Sequence, residues 1–415
     1  MDERASVGLR RAAHAIILVW AVGIVLREPI TQAGAYAAIA LGLYLWIAKK
    51  VEVPRELWPF VLSAAAYCGW QVVSTPLSLS TGASAHWPPF ARFGQAVEPL
   101  AVAALAIVAQ LGVPWVKLGW TLAVGWLASC AVAVYQHLFG WPFDFPAWMK
   151  LSTQRVRENF ATGGAPRYGA GGFQFHRLRF GHAAIALLGP ALAAAVRLGE
   201  KKARILAGVV VAALLGGIWM TFARAAFGAA LIVVAAGFVL FTRGWVRRGG
   251  LILAAALVLG AVASPAWRDR FARAGANVLE GERMQAMTAG MRMFREHPLF
   301  GVGFGNHREH ARALAPELHM PDHITWDSHD IWITAMAETG LVGLLLMLAF
   351  HGTLAVALYR RFKAGAWIAG GALLSWVGFL VLGGVHYLPF HSSVALTFYF
   401  VWGLGLVAPI EARDP

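Results

Sequence analysis

Residues 203–242 read ARILAGVVVAALLGGIWMTFARAAFGAALIVVAAGFVLFT, and only Arg204 and Arg224 among them are charged. A helix needs roughly 20 mostly apolar residues to cross a bilayer. The stretch therefore holds two spans, 203–222 and 225–242, joined almost without a connection. Ten further runs of this kind follow in both directions, near 11–27, 31–48, 58–74, 97–113, 116–139, 181–197, 249–265, 330–358, 367–385 and 391–409. The first follows Arg4, Arg10 and Arg11. It is long enough to be a retained helix and lacks a convincing small-residue cleavage pattern. The expected fold is an all-α polytopic membrane protein of about twelve transmembrane helices, a single transmembrane domain over 1–415.

The composition agrees. Of 415 residues, 59% are hydrophobic and 13% charged, with a mean hydropathy of +0.60, whereas soluble domains carry about 25% charged residues. This excludes disorder. The net charge of +14 suits a nucleic-acid binder, but the apolar content does not, so no nucleic acid is expected. Cys68 and Cys130 both lie in apolar runs and imply no disulfide framework.

Twelve spans put both termini on one side. With that side cytoplasmic, its segments hold 18 of the 35 Lys and Arg residues, and the short outer connections hold only Arg27, Arg92 and Arg224. This is a strong positive-inside bias. The other 14 lie in two longer outer loops, 140–180 and 266–329, which are exempt from that rule.

The first loop sets Lys150, Arg155, Arg157, Arg167, Arg177 and Arg179 against Asp144 and Glu158. Two readings stand together: an interface loop touching anionic membrane lipid, or a docking surface for a phosphorylated glycolipid. Arg224 sits at the outer membrane boundary, where a charge is costly and a functional role is the default expectation.

The second loop carries His297, His307, His310, His319, His323 and His329. Residues 282–296 read as an amphipathic helix with Met284, Met287, Met291 and Phe294 on one face, Arg283 at the N-terminal end of that face, and Arg292 opposite. The run Pro298-Leu-Phe-Gly-Val-Gly-Phe-Gly-Asn306 follows no strand, so its glycines point to a tight turn rather than a dinucleotide site. The spacings of His307 with His310 and of His319 with His323 are compatible with zinc. No H-E-x-x-H and no nearby Cys accompany them, and Pro321 breaks the second pair. They read as interfacial polar residues, and no metal is expected. His329 opens the tenth span in Trp326-Asp-Ser-His329-Asp-Ile-Trp. There Asp327 or Ser328 can cap the helix, and Asp327 or Asp330 can orient the imidazole as a base. His386 and His391, at the outer end of the last two spans, are expected to line the same cavity.

On these features the chain resembles the bacterial O-antigen ligases and the related O-antigen polymerases. The shared pattern is about twelve spans, with a long periplasmic loop between the ninth and tenth. Three motifs carry the likeness. One is Ala-Arg224-Ala, where the family more often has Ser-Arg-Gly. Another is the Arg283 helix leading into Pro298–Asn306. The last is Ser-His329-Asp followed by Ala-Glu338-Thr-Gly-Leu-Val-Gly343, where the family usually has His-Asn and then Glu-x-Gly-x-x-Gly. The motif region covers roughly 220–345.

The resemblance implies a type C glycosyltransferase fold in the bacterial inner membrane, with chemistry on the periplasmic side. It implies metal-independent, inverting transfer of O-antigen from undecaprenyl diphosphate to a sugar hydroxyl of lipid A-core, without a cofactor. His329 is then the expected general base, and Arg224 and Arg283 the diphosphate ligands. Arg167, Arg177, Arg179, Arg292, Asp330 and His386 are candidates for further substrate contacts. A polymerase or a protein O-oligosaccharyltransferase would use the same donor chemistry. A glycolipid transporter or flippase would show two related halves, and none is evident.

Overall fold

A computed structural model describes residues 3–84, 87–88, 90–141, 160, 166–277 and 281–410. Lys150, Arg155, Arg157, Asp144 and Glu158 of the first outer loop lie outside the described residues. Sixteen α-helices, and no strand, occur among the described residues.

Each of the twelve apolar runs falls on a helix. Among the described residues, eight helices are long and apolar enough to cross a membrane. They are α1 (Glu3–Leu26), α2 (Glu28–Ile47), α6 (Trp115–Phe139), α7 (Arg177–Arg197), α8 (Lys201–Met220), α9 (Arg224–Phe241), α10 (Gly244–Ala263) and α14 (Ile331–Lys363). The other four runs fall on α3 (Trp58–Ser80), α5 (Leu100–Val108), α15 (Trp367–Gly383) and α16 (Ser392–Val407). The short α4 (Phe90–Val97) precedes α5 and meets it at Glu98 and Pro99. Proline supplies no backbone N–H there, so the two helices do not run on as one.

Helix α7 lies at the centre, packed on α8, α9, α15 and α16. Small residues permit this. A Cβ on Gly189 would stand 2.4 Å from the carbonyl oxygen of Gly371 on α15. Close backbone approach of this kind drives helix association where lipid removes the hydrophobic force. At the periphery, α10 turns Leu251, Ile252, Leu259 and Val262 outward, as a lipid-facing helix should.

Between α10 and α14 stand three helices, α11 (Pro265–Asn277), α12 (Glu282–Glu296) and α13 (His307–Leu318). The bounds of α12 are those read from the sequence, but its buried face is not. Ala286, Ala289, Gly290 and Met293 are buried, whereas Met284 is exposed. The reason is packing distance. A Cβ on Gly290 would lie 2.1 Å from Ser328 Oγ and 2.8 Å from Ile333 Cγ2, so α12 sits too close to the start of α14 for a methionine stripe.

The Pro298–Asn306 run is a turn, as its glycines suggest. Gly301, Gly303 and Gly305 have φ of 68°, 90° and 85°. The run is pressed onto a break in α14 at Gly340, where φ is 66° and ψ is −166°. The Val302 N–H donates to the Ala337 carbonyl at 2.9 Å, and the Leu341 N–H to the Pro298 carbonyl at 2.8 Å. Trp70 Nε1 on α3 donates to the Thr339 carbonyl beside the break at 2.9 Å. Three buried hydroxyls of α3 hold the turn from the other side. Ser74 Oγ accepts the Phe304 N–H at 3.3 Å, Thr75 Oγ1 donates to the Phe304 carbonyl at 3.3 Å, and Ser78 Oγ donates to the Gly301 carbonyl at 3.0 Å.

Candidate active site

Arg224 is the first residue of α9, directly after a tight connection in which Phe222 takes φ 51°. Thr221 Oγ1 accepts the Ala223 N–H at 3.0 Å and fixes that turn. Trp267 of α11 packs under it, with ring centroids 5.6 Å from Phe222, 4.8 Å from Phe227 and 5.4 Å from Trp219. The aromatic cluster binds α11 to the ends of α8 and α9. It also brings the Arg270 carbonyl to Arg224, whose Nη1 donates to it at 3.0 Å.

Arg283, in the first turn of α12, lies within electrostatic reach of Arg224. Burial and the neighbouring Arg224 cation lower its pKa from the ordinary guanidinium value, and Asp327 opposes this. Two adjacent cations, only partly balanced, form a place for an anion.

Asp327, Ser328 and His329 enter α14. Asp330 caps that helix: one carboxylate oxygen accepts the Trp332 N–H at 2.8 Å and the Ile333 N–H at 2.9 Å. The cap is thus Asp330, not Asp327 or Ser328. Its three-residue reach suits an N-cap carboxylate. Asp327 is left for the imidazole. Its Oδ1 accepts the His329 N–H at 2.7 Å and stands 3.5 Å from His329 Nδ1. This local turn holds His329 in the left-handed region, at φ 53°. With Nδ1 facing the carboxylate, Nε2 is the nitrogen left to take a proton. Burial pushes the Asp327 carboxyl up from the usual range, while His329, Arg92 and Arg283 pull it back.

His307 is not interfacial. It is fully buried; its Nδ1 lies 3.3 Å from the Thr325 carbonyl and its Nε2 2.8 Å from Ser328 Oγ. A carbonyl only accepts, so Nδ1 carries the hydrogen and Nε2 accepts from the serine. Burial pushes its pKa down to about 3. The ring positions the Ser328–His329 turn and has no nitrogen to spare for a metal. Among the described residues no three His, Cys, Asp or Glu side chains gather as a metal site.

Two residues that the sequence reading left without a role complete the cluster. Glu338 is 1% exposed. It accepts from the Arg92 guanidinium at 3.2 Å, from the His307 N–H at 3.4 Å, and from the Gly305 backbone. Arg92 of α4 also donates to Gln95 Oε1 at 2.6 Å and lies over the Phe304 ring. Arg92 shared with Arg224 the one available signal, a cation in a short outer connection. Glu338 stood in the motif run of α14.

The remaining expected contacts divide. Arg177 opens α7 and is buried, donating to the Thr221 carbonyl at 3.1 Å and acting electrostatically on Arg224. His386 packs against His182 with ring centroids 4.7 Å apart and the rings tilted by 53°, and lies within reach of Arg283 and His329. Arg179 pairs with Glu28 at 2.5 Å and reaches His391 Nδ1 at 3.3 Å. It lines a separate cavity of about 170 Å³ with Arg27, Glu28, Gln174 and Phe175. Arg292 is held on the exposed side of α12 by Glu296 at 3.0 Å and Glu317 at 2.6 Å. Arg167 is half-exposed beside His137 and bonds the Pro166 carbonyl. The structure therefore gathers Arg224, Arg283, His329, Arg177 and His386, and leaves Arg167 and Arg292 apart.

The fold and this cluster define a multi-pass, all-α membrane protein with a histidine–carboxylate pair beside paired arginines. Residues 209–348 match the family model described as O-antigen ligase. The matched segment runs from α8 to the middle of α14 and includes Arg224, Arg283, His329 and Glu338. No curated protein matches the chain.

Proposed function

We propose that the protein is an O-antigen ligase, a metal-independent inverting glycosyltransferase. It moves O-antigen from undecaprenyl diphosphate to a sugar hydroxyl of lipid A-core, on the periplasmic face of the inner membrane, with both termini cytoplasmic. The observation that carries this reading is a run of neighbouring charges: Arg224 acts on Arg283, Arg283 acts on Asp327, and the Asp327 carboxylate stands 3.5 Å from His329 Nδ1. These residues come from α9, α12 and the entry to α14.

The roles follow from the chemistry. His329 Nε2 removes the acceptor hydroxyl proton, and Asp327 holds the imidazole and balances the imidazolium that forms. The acceptor oxygen bonds to the anomeric carbon as the bond to the diphosphate breaks on the opposite face. The departing diphosphate gains negative charge, which Arg224 and Arg283 meet with forked hydrogen bonds. Glu338 and Arg92 fix the turn against α14 and touch no substrate.

Purified His329→Ala protein should bind lipid-linked donor and transfer no glycan; transfer by that variant sinks the assignment. Arg224→Lys and Arg283→Lys should both weaken donor use, because a point charge does not replace a planar fork. Added chelator should leave the rate unchanged. Offering lipid A-core, a second lipid-linked repeat and an acceptor protein to the same preparation identifies the acceptor. Transfer to the second or third would replace the ligase reading by polymerase or protein glycosylation.

A further inference from the structure

His182 lies a turn and a half into α7 and is 1% exposed. Neither ring nitrogen has a hydrogen-bond partner among the described residues. A buried imidazole with both nitrogens unpaired is rare and costly. His351 on α14 offers a contrast. It is also buried, but Phe350, Phe379 and Trp402 surround it with aromatic rings, as befits a core histidine. His182 instead faces the polar cluster. His176, Arg283 and Arg177 act on it electrostatically, and its ring packs against His386 at a 53° tilt, with centroids 4.7 Å apart.

The location of His386 gives the direction. It lies within electrostatic reach of both Arg283 and His329, the groups assigned to the diphosphate and to the acceptor proton. The group between a diphosphate and the attacking oxygen is the sugar that the diphosphate carries. Burial, His182 and Arg283 hold His386 far below the ordinary imidazole value, so it is neutral. A neutral imidazole offers one donor and one acceptor. A sugar hydroxyl matches that pair, whereas a diphosphate oxygen accepts only.

We infer that His182 and His386 form a subsite for the sugar joined directly to the donor diphosphate, recognising its hydroxyl or acetamido groups. The inference rests on the proposed donor chemistry and goes beyond it by assigning His182 and the kind of sugar contact. It makes the pair determinants of donor specificity rather than of proton transfer.

The test measures binding of two probes to the full-length protein in nanodiscs: polyprenyl diphosphate, and the same lipid bearing one N-acetylhexosamine. His182→Phe keeps a ring against His386 and removes both nitrogens. It should weaken binding of the sugar-bearing lipid by roughly 3- to 10-fold, the range for one uncharged hydrogen bond. Binding of bare polyprenyl diphosphate should not change. In turnover assays KM for donor should rise more than kcat falls, and His182→Gln should recover part of the loss. A deoxy-sugar donor tested on wild-type protein supplies the same comparison without any variant, and should show a similar loss. Equal loss for both lipids, or no loss for either with full affinity for the deoxy donor, overturns the subsite and leaves a water-filled pocket. Failure of wild-type protein to bind bare polyprenyl diphosphate would instead count against the arginine assignment.

Discussion

Replacing Asp327 by Asn separates charge from shape in the histidine–carboxylate pair. The Asn side-chain oxygen can still accept the His329 N–H that now bonds Asp327 at 2.7 Å, so the turn and its left-handed φ should persist. The carboxylate charge 3.5 Å from His329 Nδ1 is lost. Two opposite charges at that separation attract by about 4–5 kcal/mol at an effective dielectric of about 20. His329 is 29% exposed on its side chain, and solvent screening reduces the usable part to about 2–3 kcal/mol. That charge matters when the imidazolium forms, so it belongs to the transition state. The expected loss in kcat is roughly 30- to 160-fold, with KM for donor near its wild-type value. Stability should move the other way. Burial raises the Asp327 pKa in the folded protein, so its ionised form opposes folding above the ordinary carboxylate range. The Asn variant should therefore melt at or above the wild-type temperature near neutral pH. The assay is steady-state transfer with defined lipid-linked donor, beside thermal unfolding in the same detergent. A kcat within threefold of wild type refutes the reasoning. So does a loss of activity that tracks a fall in melting temperature.

His307 gives a pH signature. Its pKa falls from 6.5 to about 3 on burial, so the unfolded chain binds a proton that the folded chain does not. Stability from this residue is complete above pH 6.5. It declines as pH falls towards 3, by about 1.4 kcal/mol per pH unit well inside that window. His307→Gln should flatten the acid side of a melting-temperature profile, and an unchanged slope would deny the assignment. Glu338→Gln leaves Arg92 buried without its counter-charge and should cost about 3–5 kcal/mol of stability. Adding Arg92→Met should recover part of that in a double-mutant cycle. Gly340→Ala places a methyl 2.2 Å from the Leu299 carbonyl oxygen at φ 66°. It should lower the yield of folded protein and abolish transfer, whereas Gly352→Ala, with open space around it, should be neutral.

The apolar runs were legible as helices because twenty apolar residues in water have no other stable use; all twelve fall on helices, of which eight among the described residues are long and apolar enough to cross a membrane. The extent of α12 was legible from periodicity, but its buried side was not. Periodicity finds large apolar residues, and close packing on α14 selected Ala286, Ala289 and Gly290 instead. Among the six loop histidines, residue type alone could not separate a buried positioning ring from a candidate base. His307 and His329 differ in burial and in partners, and neither property is encoded in their spacing. Arg92 had the same topological mark as Arg224 and went unread because its partner, Glu338, stands 246 positions away. The hydroxyls of Ser74, Thr75 and Ser78 carried no signal at all, since in an apolar run they resemble ordinary small residues of a helix interface.

The clasp between α3, the Pro298–Asn306 turn and the break at Gly340 bears on how such a protein can be re-engineered. A loop that hangs between two spans can be exchanged like a cassette. This one cannot, because its backbone is hydrogen-bonded to a helix more than two hundred positions earlier in the chain as well as to the helix that follows it. A chimera that imports a foreign segment between α10 and α14 must also import the hydroxyl face of α3 and the Arg92–Glu338 pair. The exchangeable unit is thus one long continuous block that takes in α3 as well as the loop. Recombination points that respect it fall before α3 and after Gly343.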